Sequence, residues 1–220
     1  MYEIIVSLLI INFFGMLSPG PDMMLVLKYG SLSAKRAAWY CVGGIISGLA
    51  VHIMLGLFGI SFLISSNPML FNVVRWFGAG YLIYIGIKSL RAGKSEIAVD
   101  TSSLDFSPSK AYLDGLLCNL LNPKILMFMV AVFSQVIAPE TPTSDKLLIS
   151  LSIFIETAVL WSCFIMLLNR GTLKQMLNRY QDKINKATGG LLITLGGFIG
   201  LSSYRYLEPL KLKKKGAVGE

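Results

Sequence analysis

The chain has 220 residues, of which 54% are hydrophobic and only 15% charged, and its mean hydropathy is +0.65. That balance is too apolar and too charge-poor for an ordinary water-soluble domain, so the soluble classes are excluded before any motif is read. The net charge of +8 does not point to nucleic acid either, because the positive residues flank apolar stretches instead of forming a patch of their own.

A bilayer core requires about 20 mostly apolar residues per helical span. Six such stretches are predicted, over 4–27, 37–65, 68–87, 115–138, 147–168 and 187–204. No Lys or Arg precedes the first, and its apolar run outlasts that of a signal peptide, so it is expected to be retained. About two-thirds of the way along it comes Ser18-Pro19-Gly20-Pro21-Asp22. Each proline lacks an amide donor and drives its predecessor out of the α region, so the helix is expected to break there. Pro21 then suits the first position of a new half-helix.

The second stretch carries Cys41 and His52, the sole histidine, which reads as hydrogen-bonded packing. Near the start of the third, Arg75 is placed to snorkel towards the interface. The segments 88–114 and 169–186 are polar and too short for a folded domain outside the membrane. In the fourth stretch, Asn119, Asn122, Pro123 and Lys124 repeat the device of the first, with Asn122 as N-cap and Pro123 in the first helical position. The fifth contains Glu156 among Ile153, Phe154, Ile155 and Val159, a carboxylate that could carry a proton, as could Asp22. Tyr81, Tyr84 and Trp161 are candidates to line a path, or equally to serve as packing and interface anchors. Cys41, Cys118 and Cys163 fall in three different stretches without a CxxC pairing, so neither a disulfide framework nor a metal site is expected.

Two registers of self-similarity run through the chain. Gly80-Tyr81-Leu82-Ile83-Tyr84-Ile85-Gly86 aligns with Gly190-Leu191-Leu192-Ile193-Thr194-Leu195-Gly196 at an offset of about 110 residues, and Pro21-Asp22 aligns with Pro123-Lys124 at about 102. The expected fold is therefore an all-α integral membrane protein: a single transmembrane domain of six helices arranged as two inverted-topology three-helix repeats. The first repeat covers about 1–95, the second about 110–206, and a basic tail follows over 207–220. The first and fourth helices are broken at proline. An odd number of spans per repeat makes the second half cross in the opposite sense. The glycines of the third and sixth helices read as packing, since small residues let backbones approach where burial cannot drive association. Twelve Lys and Arg lie after spans one, three and five, which the positive-inside rule places in the cytoplasm with both termini outside; five basic residues in the tail oppose that orientation.

Non-helical backbone at membrane depth is tolerated only when it is buried in protein or lines a wet cavity. Paired interruptions in corresponding spans are the best sequence pointer to a transporter's binding site. The residue after each proline is ionisable, and a charge at a helix centre costs about 2.5–3.5 kcal/mol on insertion scales. Asp22 and Lys124 suit a zwitterion: the carboxylate could hold an ammonium, while Lys124 and the amides at the half-helix N-termini could hold a carboxylate. Ser18, Asn119 and Asn122 would add neutral hydrogen bonds. The structural alternative is that Asp22 and Lys124 simply pair with each other.

Three segments together resemble the LysE/RhtB amino-acid exporters: the Ser-Pro-Gly-Pro-Asp break, the run from Gly78 to Lys88, and Asn119-Leu120-Leu121-Asn122-Pro123-Lys124. The resemblance covers nearly the whole chain. It implies export of lysine, arginine, homoserine, threonine or neutral amino acids from a bacterial cytoplasm, driven by membrane potential or a proton gradient. It carries over to Pro19, Gly20, Pro21, Asp22, Asn122, Pro123 and Lys124 as site residues. The expected partners are a small amino acid and the lipid bilayer of the inner membrane, with no nucleic acid, no cofactor and no metal; a homo-oligomer is compatible. Two alternatives differ in class. A transmembrane thiol-disulfide carrier would need a cysteine partner for Cys118, but the matching position 102 residues earlier is Met16. A passive channel or membrane enzyme finds no nucleophile with a base and no nucleotide loop to support catalysis.

Overall fold

The computed structural model describes residues 2–17, 20–30, 36–59, 62, 66–92, 107–136, 141–168 and 172–216. The chain is an all-α integral membrane protein. Its helices in order are α1 (Tyr2–Leu17), α2 (Pro21–Gly30), α3 (Arg36–Met54, continued by a π-helical turn over Leu55–Gly59), α4 (Pro68–Arg91), α5 (Pro108–Leu120), α6 (Pro123–Val136), α7 (Thr143–Leu168) and α8 (Thr172–Gly216). Four segments are each long and apolar enough to cross a membrane: Arg36–Gly59, Met69–Arg91, Thr143–Leu168 and Arg179–Leu201. The pairs α1–α2 and α5–α6 pass the same test when each is taken as one span, and they are bent by 60° and 53°. Counted so, the spans among the described residues number up to six. Large apolar side chains such as Phe58, Met69, Phe77 and Leu201 stand outward with more than half of their surface open, which in water would be untenable but suits acyl chains.

Helix starts follow the local chemistry. Among the described residues, four of the eight helices begin at proline, whose fixed φ and missing donor suit the first turn. At α4, Asn67 accepts the Leu70 amide through its side chain at 2.9 Å and so caps the turn that Pro68 opens. The helices also reach further than hydropathy alone indicates. Residues 108–114 and 172–186, read from polarity as connections, are helical. The second of these segments has no Pro or Gly and is rich in good helix formers; within it Lys186 pairs with Asp182 one turn away at 2.9 Å. Most of the basic tail is helical too, to Gly216.

Arg75 differs from expectation in another way. Instead of reaching an interface it is buried at 7% exposure, with its guanidinium 5.8 Å from the centre of the Phe71 ring. The ring face offers a cation a partner inside the protein.

Glycines set two close helix crossings. At the first, a Cβ on Gly86 would lie 2.8 Å from the Gly189 carbonyl and 2.7 Å from Ile193, while one on Gly196 would lie 2.7 Å from the Ala79 carbonyl and 2.8 Å from Ile83. Residues 79 and 86 thus face 196 and 189, so α4 and α8 run antiparallel. The two contact sets exchange under the 110-residue offset. Gly80 and Gly190 likewise correspond, and both look into open space. At the second crossing α3 meets α5: a Cβ on Gly44 would collide with the Tyr112 carbonyl, and one on Gly115 with that of Cys41. Backbones touching this closely allow dispersion to act over the whole crossing.

Candidate functional site

The two breaks meet. Asp22, second residue of α2, is 6% exposed and accepts hydrogen bonds from residues at the end of α5 and in the break that follows. Asn119 Nδ2 donates to its Oδ2 at 2.7 Å, Asn122 Nδ2 to its Oδ1 at 3.2 Å, and Cys118 Sγ to the same Oδ1 at 3.3 Å. All three donors are neutral. Asn119 and Asn122 are themselves buried, at 2% and 5% exposure. Lys124 is half-buried and lines the same cavity as Asp22, Asn119 and Asn122.

Each interruption leaves helix ends whose carbonyls and amides lack partners within the helix. The structure supplies them from elsewhere. In the last turn of α1 the Phe14 carbonyl accepts from Thr188 of α8 at 3.2 Å, and at the end of α5 the Asn119 carbonyl lies 3.1 Å from His52 Nε2 of α3. Since a carbonyl only accepts, His52 Nε2 must carry the proton. His52 is therefore hydrogen-bonded packing, as its isolation in an apolar span suggests, and it holds the residue that in turn holds Asp22. Gly48, one turn earlier on α3, allows the approach: a Cβ there would be 2.8 Å from Asn119 Oδ1.

At the start of α6, Asn122 caps as expected, its side-chain oxygen accepting the Lys124 amide at 3.1 Å. That amide is consequently engaged by its own cap, which narrows the expectation that both half-helix N-termini present open amides. At the start of α2, Gly20 precedes Pro21 and has no side chain to offer; its carbonyl takes the Met24 amide at 3.0 Å. Ser18 and Pro19 lie outside the described residues.

The cavity bounded by these groups measures about 50 Å³, room for a few water molecules. That is less than the volume of an amino acid, so a substrate could be held there only if the surrounding side chains or helices part. Tyr81 and Trp161 line it, whereas Tyr84 is 58% exposed and does not. Sequence reasoning passed over a second polar group in its wall. Asn12 on α1 is 4% exposed and donates through Nδ2 to both Glu156 Oε2 and Thr157 Oγ1 of α7, each at 3.0 Å. The available signal was an amide in mid-span, which lipid does not tolerate without a partner. A further tie, Tyr29 donating to Asp114 at 2.6 Å, joins the far end of α2 to the middle of α5. All three cysteines are free thiols.

Comparison with known proteins places this geometry in context. The family model described as LysE type translocator matches residues 13–203. An uncharacterized membrane protein of Bacillus subtilis, YrhP, is 33% identical over 194 residues, covering 84% of this chain and 92% of its own. An uncharacterized membrane protein of Haemophilus influenzae is 27% identical, covering 86% and 92%. A homoserine/homoserine lactone efflux protein of Salmonella typhimurium is 28% identical over 184 residues, covering 83% and 89%. No solved structure matches the chain.

Proposed function

Because the chain belongs to the family of LysE type translocators, we propose that it is a secondary transporter that exports amino acids, whether basic, hydroxylated or small and neutral, across the bacterial inner membrane. The observation that carries this reading is the buried Asp22 carboxylate at the junction of two broken helices, held by neutral donors and sharing a cavity with Lys124. Asp22 takes the substrate's ammonium and Lys124 its carboxylate, with Gly20, Pro21, Asn119, Asn122 and Pro123 shaping the site and Ser18 and Pro19 completing the first break. Buried charge is costly in a membrane and belongs as a rule to substrate or ion pathways.

The exchange of the Gly86 and Gly196 contacts under the 110-residue offset supports two inverted three-helix repeats, the plan on which one half rocks against the other around a fixed central site. The relative named for homoserine efflux supports a small amino acid as cargo. Cells making the protein are expected to retain less labelled amino acid than cells without it, and the purified chain in liposomes is expected to show saturable counterflow. Flux that rises without saturation would instead identify a pore and reject a carrier.

Export is driven by the proton gradient or the membrane potential. Glu156, half-buried and bonded to Asn12 of the cavity wall, is with Asp22 our candidate for coupling protons to transport. The Glu156→Gln protein is expected to lose the response of export rate to an imposed pH gradient in liposomes. A response equal to that of the unaltered protein would remove Glu156 from the coupling.

A further inference from the structure

The Asn12–Thr157 pair has bonding capacity left over, and both residues line the cavity. Asn12 uses its amide group twice, towards Glu156 and towards Thr157. In its ionised form the Glu156 carboxylate fixes which way round the amide sits, because only the NH2 end can donate to it. Among the described residues the Asn12 Oδ1 acceptor therefore has no partner. Thr157 accepts from Asn12, and among the described residues its own hydroxyl has no acceptor either. Nearby hydroxyls on the same helix behave otherwise: Ser150, Ser152 and Ser162 each donate to the carbonyl four residues earlier, at 2.7–2.8 Å. Asn12 and Thr157 are 4% and 5% exposed, and both line the cavity that holds Asp22 and Lys124.

Buried polar groups in membrane helices almost always find partners. One spare acceptor beside one spare donor is the complement of a hydroxyl, which both donates and accepts. We propose that Asn12 and Thr157 form a subsite that binds the side-chain hydroxyl of the transported amino acid. The inference rests on the reading of Asp22 and Lys124 as the site for the charged ends. Those groups would hold what all amino acids share, while Asn12 and Thr157 would tell a hydroxylated side chain from an apolar one of the same shape. A site built to hydrogen-bond a hydroxyl strongly disfavours the analogue lacking it, because its own groups are then left unpaired.

Threonine and valine are the natural test, since they differ by a hydroxyl in place of a methyl. With the full chain in liposomes, counterflow of labelled threonine and labelled valine gives a ratio of efficiencies. That ratio is expected to favour threonine by about 10-fold or more in the unaltered protein, to fall by about 10-fold in Thr157→Val, and to recover in Thr157→Ser. Equal use of threonine and valine by the unaltered protein would overturn the subsite while leaving amino-acid transport intact, and the pair would then hold only water. A ratio unchanged in Thr157→Val would overturn it too. No counterflow of any amino acid would remove the underlying reading together with the subsite. Should Thr157→Val fail to reach the membrane, competition against labelled homoserine in the unaltered protein decides the matter: threonine must compete about 10-fold better than valine, and equal competition overturns the proposal.

Discussion

An Asp22→Asn protein that reaches the membrane at normal levels is expected to lose about 100-fold of its amino-acid export. The substitution changes one oxygen to an NH2 group and removes the negative charge. Both changes act at the same place. An ammonium loses its charged partner, and a hydrogen bond to a charged group is worth about 1.5–3 kcal/mol, or roughly 10- to 100-fold. The new NH2 also points a donor at donors, since Asn119, Asn122 and Cys118 all aim hydrogens at the Asp22 oxygens. Lys124→Gln is expected to act in the same direction by removing the positive end of the site. Transport rates normalised to protein in the membrane separate this account from a structural one: full activity in both variants would reject Asp22 and Lys124 as the substrate site.

Gly115→Val is expected to prevent assembly instead of slowing transport. A side chain at 115 would strike the Cys41 carbonyl, and Gly44 faces the backbone of Tyr112 and Leu116 from the other side of the same crossing. Neither neighbour is the end of a flexible side chain that could swing away. Overpacking of this kind costs about 3 kcal/mol or more when backbone must shift, a large share of the roughly 5–15 kcal/mol that holds a typical domain together. Separating α3 from α5 would also withdraw Gly48 and His52 from Asn119 and loosen the wall around Asp22. Gly80→Val serves as the contrast, because a Cβ there meets nothing within 4 Å. Protein yield in the membrane and melting temperature in detergent should drop sharply for Gly115→Val and little for Gly80→Val. Similar behaviour of the two would show that the crossing does not govern stability.

Much of the candidate site was legible from residue types. Proline at two matching places, each followed by an ionisable residue, announced the breaks at Pro21 and Pro123, and Asn122 announced its own cap. These are local effects, governed by φ restriction, missing donors and side chains that reach only one or two residues along the chain. What escaped were partners remote in sequence. Asn12 and Thr157 lie 145 residues apart, and nothing in the local pattern around either indicates the other. The same holds for Thr188 with Phe14, and for His52 with Asn119, since a lone polar residue in an apolar run shows that it needs a partner without saying which. Arg75 illustrates the opposite error, for its length and position suited snorkelling until the Phe71 ring beside it was seen.

The sequence by itself determined that this chain enters a membrane, that it does so as helices, and where two of them cannot continue, because apolar run length and backbone chemistry act within a few residues and need no tertiary context. Only the tertiary structure decided that Asp22 is held by Asn119, Asn122 and Cys118, that it lines a small cavity, and that Asn12 and Thr157 share the wall of that cavity. Those contacts depend on which helices cross and how closely, and that was settled by glycines whose role appears only when a second backbone lies against them.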